Sequence, residues 1–153
     1  MKPLNLWIPG KPQAKGRARA FLTKFGRIGM YAHKETANYE SVMRFTAQQA
    51  MAQQGWKVTD KPVIVRMVAQ FKPPQSWPKW KHSLVASHDI AATVKPDLDN
   101  IIKNLDGLNG VVWVDDQQIV EIQAVKVYDQ VEGLGIIISE TAQRTAQGKR
   151  ETQ

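Results

Sequence analysis

Between Pro62 and Phe71 apolar residues fall on every second position: Val63, Val65, Met67, Ala69 and Phe71 line one side, with Arg66 and Gln70 opposite. Only an extended chain puts alternate residues on one face. This stretch is therefore predicted to be a strand with one buried side, and a strand needs neighbours to be stable. Leu4 to Ile8 alternates in the same way before Pro9-Gly10 turns the chain, and Val111 to Val114, Ile119 to Tyr128 and Leu134 to Ser139 also read as extended. Two other stretches carry helical spacing. Tyr39, Val42, Met43, Thr46 and Ala50 form a stripe between Lys34 and Gln54 that stops at Gly55, and Leu98, Ile101, Ile102, Leu105 and Leu108 form a second that stops at Asn109-Gly110. The expected fold is α+β: a mixed sheet of four or five strands with two main helices packed on one face. At 153 residues the chain suits one domain, expected over residues 1–140, followed by a polar tail over 141–153.

Charge narrows the partners. The chain holds 21 Lys plus Arg against 14 Asp plus Glu, a formal net charge of +7, so its field attracts polyanions, nucleic acid first among them. There are no cysteines, which removes disulfides, thiolate metal sites and cysteine nucleophiles together. No apolar run approaches the length of a membrane span, and the N-terminal residues lack a leader's apolar stretch, so a cytoplasmic location without membrane contact is expected.

Against this basic background, carboxylates gather in Pro96-Asp97-Leu98-Asp99-Asn100 and again in Asp115-Asp116. If the chain enters extended after Pro96, Asp97 and Asp99 project to the same side, where two carboxylates repel unless a cation lies between them. Oxygen ligands with no Cys or His nearby favour Mg²⁺ or Mn²⁺ over Zn²⁺. Asp116 is the expected third ligand, because it precedes a strand that could pair beside the segment carrying Asp97; Asp115 ranks second. Lys103 follows Asp99 at i+4 and would share its face if a helix begins there, placing an ammonium where charge develops on a phosphate. Asp-x-Asp alone does not identify an activity. The same residues would also serve as a helix cap, an ion-pair partner and a turn in a protein without catalysis.

The stretch from Lys95 through Pro96-Asp97-Leu98-Asp99-Asn100-Ile101-Ile102-Lys103, then Leu108-Asn109-Gly110, then Asp115-Asp116-Gln117-Gln118-Ile119-Val120 and Lys126 resembles, in order and spacing, the RusA-type Holliday junction resolvases of phages and prophages. Pro9-Gly10-Lys11-Pro12, Lys15-Gly16-Arg17-Ala18-Arg19 and Pro74-Gln75-Ser76-Trp77 resemble that family's other segments, so the likeness covers roughly residues 4 to 139. The resemblance implies a homodimer that resolves four-way DNA junctions in recombination and repair by paired symmetric nicks, using Mg²⁺. It implies Asp97, Asp99 and Asp116 as metal ligands and Lys103 as the catalytic lysine. One departure stands out: the family pattern has one residue more between Lys103 and Asp106, so Asp106 is given no role.

Lys11, Lys15, Arg17, Arg19, Lys24 and Arg27 are the candidate DNA-binding residues, in a stretch predicted to be a basic loop that meets phosphates. Pro73 to Pro96 is expected to be a long excursion with one helical turn near Ser83. Its Trp77 and Trp80, set among Lys79, Lys81 and His82, either anchor it to the core or stack on exposed bases. His33, His82 and His88 are too scattered for a metal site. Two other functions fit the same residues: a metal-dependent nuclease acting on another nucleic acid, and a non-catalytic DNA-binding module of phage origin.

Overall fold

The computed structural model describes residues 1–15, 19–22, 28–31 and 34–146, with the side chains of 19–22, 28–31 and 34–37 left aside. Its centre is strand β4 (Val63–Phe71), whose five alternate apolar residues are all at most 2 % exposed. β4 pairs antiparallel with β6 (Gly133–Glu140) on one side and parallel with β5 (Ile119–Tyr128) on the other, and β1 (Leu4–Pro9) closes the far edge against β6. The sheet is mixed and four-stranded, in the order β1-β6-β4-β5, which bears out the α+β reading. A separate antiparallel pair, β2 (Arg19–Leu22) with β3 (Ile28–Tyr31), stands where a plain basic loop was expected.

Helix α1 (Lys34–Gln54) has the predicted extent but a shifted stripe. Tyr39, Met43, Ala47 and Ala50 are buried, whereas Val42 is exposed and Thr46 half-buried. The small Ala47 lets the helix lie close to the sheet, so the next turn of contact passes to it. On the core side of the sheet α1 meets Leu4, Leu6, Ile8, Val65, Met67, Ile136 and Ile138 in one apolar cluster, the dominant favourable term for a domain of this kind. The opposite face of the sheet carries Trp7, Arg66, Glu121, Gln123, Val125 and Ile137, all exposed. Trp7 lies across β6 so closely that a Cβ on Gly133 would fall 2.1 Å from its ring, so any larger residue there would displace the indole.

The excursion after β4 contains more helix than expected: α2 (Lys79–Ala86) makes two turns rather than one. The second apolar stripe begins as α3 (Leu98–Ile102) and tightens into a 3₁₀ helix over Lys103–Leu108 before Gly110 turns the chain with φ +75°. Residues 111 to 114, expected to be extended, form a turn; only Trp113 bridges to Thr59 and Asn109. Four apolar residues in a row mimic a strand, but only Val112 and Trp113 are buried, and the chain here folds around Trp113, which is completely covered.

Thr59 is the knot of this region. Its amide and carbonyl bond to Val112 and Val114, and its hydroxyl donates to Glu140 Oε2 at 2.6 Å. That bond, ahead of the opposing effect of burial, holds the Glu140 carboxyl below its ordinary value of 4.5. A lowered carboxyl stabilises the fold above the unfolded value and loses that contribution as pH falls through the folded one. We expect Glu140→Gln to be less stable than wild type at neutral pH and the gap to close below about pH 4.5, read from urea unfolding midpoints across pH.

Candidate active site

The acidic residues sit on two separately braced limbs, both in the connection between β4 and β5. The first is α3 with the segment before it. Lys126, on the core-facing side of β5, donates its ammonium to the carbonyls of Val94 and Pro96, the latter at 3.0 Å, and lies 5.8 Å from the Phe71 ring. Charged donors on neutral acceptors are worth roughly twice a neutral hydrogen bond, so this grip fixes the backbone immediately before Asp97.

Asp97 occupies the N-cap position of α3 with extended backbone angles, yet its side chain makes no capping bond. It is exposed, with Lys95 Nζ 3.9 Å away, an ion pair contributing little in water. Asp99 lies inside α3, so the extended-chain argument for both carboxylates facing one way is corrected. Two residues apart on a helix, side chains do not face each other. Lys103 caps α3's other end and donates to Asn100 Oδ1 at 3.2 Å instead of meeting Asp99.

The N-terminal segment braces the other side of this limb. Lys15 donates its amide to the Asn100 carbonyl at 3.0 Å and its ammonium to Asp106 Oδ2 at 2.8 Å, with Glu40 Oε1 at 3.4 Å. The hydrogen bond to Asp106, outweighing burial, raises the Lys15 pKa above 10.5. Asn104, fully buried, donates to the Gln13 carbonyl. Arg44 of α1 reaches the Gly107 carbonyl at 3.0 Å, and α1 passes so near that a Cβ at Gly107 would touch Glu40 at 3.4 Å. Asn104 and Arg44 were not singled out from the sequence, since a polar residue within an apolar stripe gives no hint of its backbone partner. Of the other basic candidates, Lys11 is exposed just after the Gly10 turn and Arg19 lies on β2; Arg17, Lys24 and Arg27 lie outside the described residues.

Asp116 stands on the second limb. Asp115 caps the 3₁₀ turn Asp116–Gln118, accepting from the Gln117 amide while Gln118 reaches back to the Asp115 amide at 2.7 Å. Gln118 also donates to the carbonyls of Thr59 and Lys61, and Trp56 donates to Val112. Asp116 is half-buried and accepts the Trp113 indole N–H on Oδ1 at 2.8 Å. The neighbouring carboxylates thus differ in use: Asp115 is consumed by the turn, and Asp116 is oriented. Among the described residues no three Asp, Glu or His side chains stand together as a ready-made cation cage. The donor set consists of hard carboxylate oxygens, the chemistry that suits Mg²⁺, an ion that commonly takes only one or two protein carboxylates and fills its shell with water and phosphate.

The sequence pattern of endodeoxyribonuclease RusA matches residues 9–139. The chain belongs to the RusA family. It is therefore an endodeoxyribonuclease of the Holliday junction resolvase kind, from a family that acts on branched DNA and generally depends on a divalent metal. It is also similar to the Bacillus subtilis (strain 168) uncharacterized protein YqaN, 25 % identical over 145 residues, covering 93 % of this chain and 99 % of that one. No helix among the described residues is long and apolar enough to cross a membrane.

The Lys126 grip yields a direct expectation. Lys126→Met keeps the stem's bulk but leaves the carbonyls of Val94 and Pro96 without their donor, at a cost of about 1.5–3 kcal/mol. Hydrogen exchange at the amides of Asn100 and Ile101, which bond to the Asp97 carbonyl, should quicken in this variant more than exchange in β4.

Proposed function

We propose that the chain resolves four-way DNA junctions by hydrolysing phosphodiesters with Mg²⁺ held by Asp97, Asp99 and Asp116, and with Lys103 as the cationic partner of the scissile phosphate. The observation that carries this reading is the contrast between used and unused carboxylates. Asp97 sits at a helix N-cap without capping, whereas Asp115 is spent on its turn and leaves Asp116 oriented but still offering an oxygen. A carboxylate held at the start of a helix, on backbone gripped by a lysine, is placed for something other than stability.

When bound, a divalent cation would neutralise phosphate charge and make a water more acidic. The chain's own residues do the rest. Asp97, Asp99 and Asp116 would hold the ion through their carboxylate oxygens, Asp97 and Asp99 from one limb and Asp116 from the other. The Lys103 ammonium, on exposed side-chain carbons at the end of α3, pairs with a non-bridging oxygen as negative charge grows. Water adds to phosphorus in line, the P–O3′ bond breaks, and O3′ leaves with its electron pair and takes up a proton, giving a 5′-phosphate and a 3′-hydroxyl.

Phosphate contacts outside the centre are assigned to Lys11, Arg17, Arg19, Lys24 and Arg27. Lys15, with its ammonium given to Asp106 and Glu40, holds the segment in place. Residues 1–140 act as one nuclease domain in the cytoplasm, with 141–153 as its tail. Paired symmetric nicks call for two active sites related by a two-fold axis. The sheet face bearing Trp7, Val125 and Ile137, each 40–49 % exposed, offers apolar surface for a second copy.

The test is a synthetic four-way junction incubated with and without Mg²⁺. Wild type should nick opposite strands only with the ion. Asp97→Asn, Asp99→Asn and Asp116→Asn should each lower the nicking rate by roughly a hundred-fold or more, the scale of lost transition-state stabilisation, while junction binding persists. Cleavage by Asp97→Asn at the wild-type rate rules the assignment out, and equal cleavage of duplex or RNA redirects it to another substrate.

A further inference from the structure

The two tryptophans of the excursion part company in the structure. Trp77 is half-buried and meets Tyr128, at the end of β5, edge to face with ring centroids 5.1 Å apart. It is an anchor. Trp80, one position into α2, is 62 % exposed, and Lys81 spans the pair, its ammonium 5.2 Å from the Trp77 ring and 5.5 Å from the Trp80 ring. Both distances lie within the reach of a cation–π contact. A chain of ring, ring, cation and ring thus runs outward from the sheet and holds an indole in solvent.

A single exposed indole is ordinary; this one is distinguished by the Lys81 ammonium that it shares with the anchored Trp77, which leaves a π face and a cation side by side at the surface. Its surroundings define a partner's charge. Helix α2 reads Lys-Trp-Lys-His-Ser-Leu-Val-Ala, with no acidic residue, and Pro78 at its N-cap supplies no capping side chain. Its location defines the partner's identity. Tyr128, which seats Trp77, is two residues along the same face of β5 from Lys126, which grips Pro96 beside Asp97. Two residues of strand span about 6.6 Å, so platform and first acidic limb are mounted on adjacent rungs of one edge strand.

We infer that Trp80 and Lys81 form a stacking subsite for a single unstacked DNA base and its adjoining phosphate, next to the catalytic carboxylates. A flat π face accepts any base, and the ammonium beside it meets the backbone, the pairing by which proteins bind unpaired nucleic acid without reading sequence. Continuous duplex offers no such base, whereas a branch point does, so the subsite selects branched DNA. The inference rests on the junction-cleaving function proposed above.

The test measures binding, in the Asp97→Asn background so that no strand is cut. Three ligands are compared: a four-way junction, a continuous duplex, and the same junction with abasic sites at its branch point. Trp80→Ala should weaken junction binding by about ten-fold, within the range for one stacked base, leave duplex binding and the salt slope unchanged, and lose nothing further on the abasic junction. Trp80→Phe should recover most of the affinity. Lys81→Gln should flatten the salt dependence by about one unit of slope. The inference is overturned if Trp80→Ala binds the junction like its parent, if the loss is equal on duplex or abasic junction, or if the variant's sedimentation shows that Trp80 instead joins two copies of the chain. If the parent does not prefer junction to duplex, the junction-cleaving function falls and the subsite with it. Preference in the parent that survives in Trp80→Ala removes the subsite alone.

Discussion

An ammonium on the covered side of a sheet's edge strand has to find oxygens, because a charge withdrawn from water without partners costs several kcal/mol. Lys126 finds them in the carbonyls of Val94 and Pro96. Two consequences follow from that grip. It ties the chain after α2 to β5, the edge strand that has β4 on one side only, and it fixes the backbone leading into Asp97. From there α3 starts in a set direction, Ile101 drops into the core, and the 3₁₀ turn delivers Asn104 to the Gln13 carbonyl and Asp106 to Lys15. The arrangement of the acidic limb is thus a sequence of forced moves starting from one lysine.

The two limbs are braced by different means. On one limb the restraint comes from cations, Lys126 and Lys15; on the other from neutral donors, the Trp113 indole and the Gln118 amide. Among the described residues Asp97 has the Lys95 ammonium 3.9 Å away, whereas Asp116 has no ion pair and is held by the Trp113 indole.

The sheet was readable from the sequence because its signal is strictly local. Val63, Val65, Met67, Ala69 and Phe71 hold every second position of β4, and Ile119 to Tyr128 and Leu134 to Ser139 carry enough β-branched residues to be recognised. Failures occurred where local pattern and tertiary packing part. Residues 111–114 are apolar because Trp113 and Val112 are buried in a turn, and burial alone does not distinguish turn from strand. Thr46 yielded its expected place to Ala47 because helix-to-sheet distance is a tertiary quantity. At the site, residue types and their order were legible, but the roles of Lys15, Asp106, Asn104 and Arg44 were not, since each depends on a partner 63 to 91 residues away.

β4 and β5 run parallel and side by side, and strands so related cannot be joined by a tight turn; the chain has to leave the sheet and travel back. In this protein the return journey, residues 72 to 118, carries Trp77, Trp80, Asp97, Asp99, Lys103 and Asp116 together. The remaining strands supply a frame that contributes none of them. Within this interval Ile101, Leu105, Leu108, Val112 and Trp113 belong to the apolar core, so the part free to lengthen or shorten while β1, β6 and β4 keep their register is the α2 segment before Val94, and altered preference for DNA shape can arise there without refolding the scaffold.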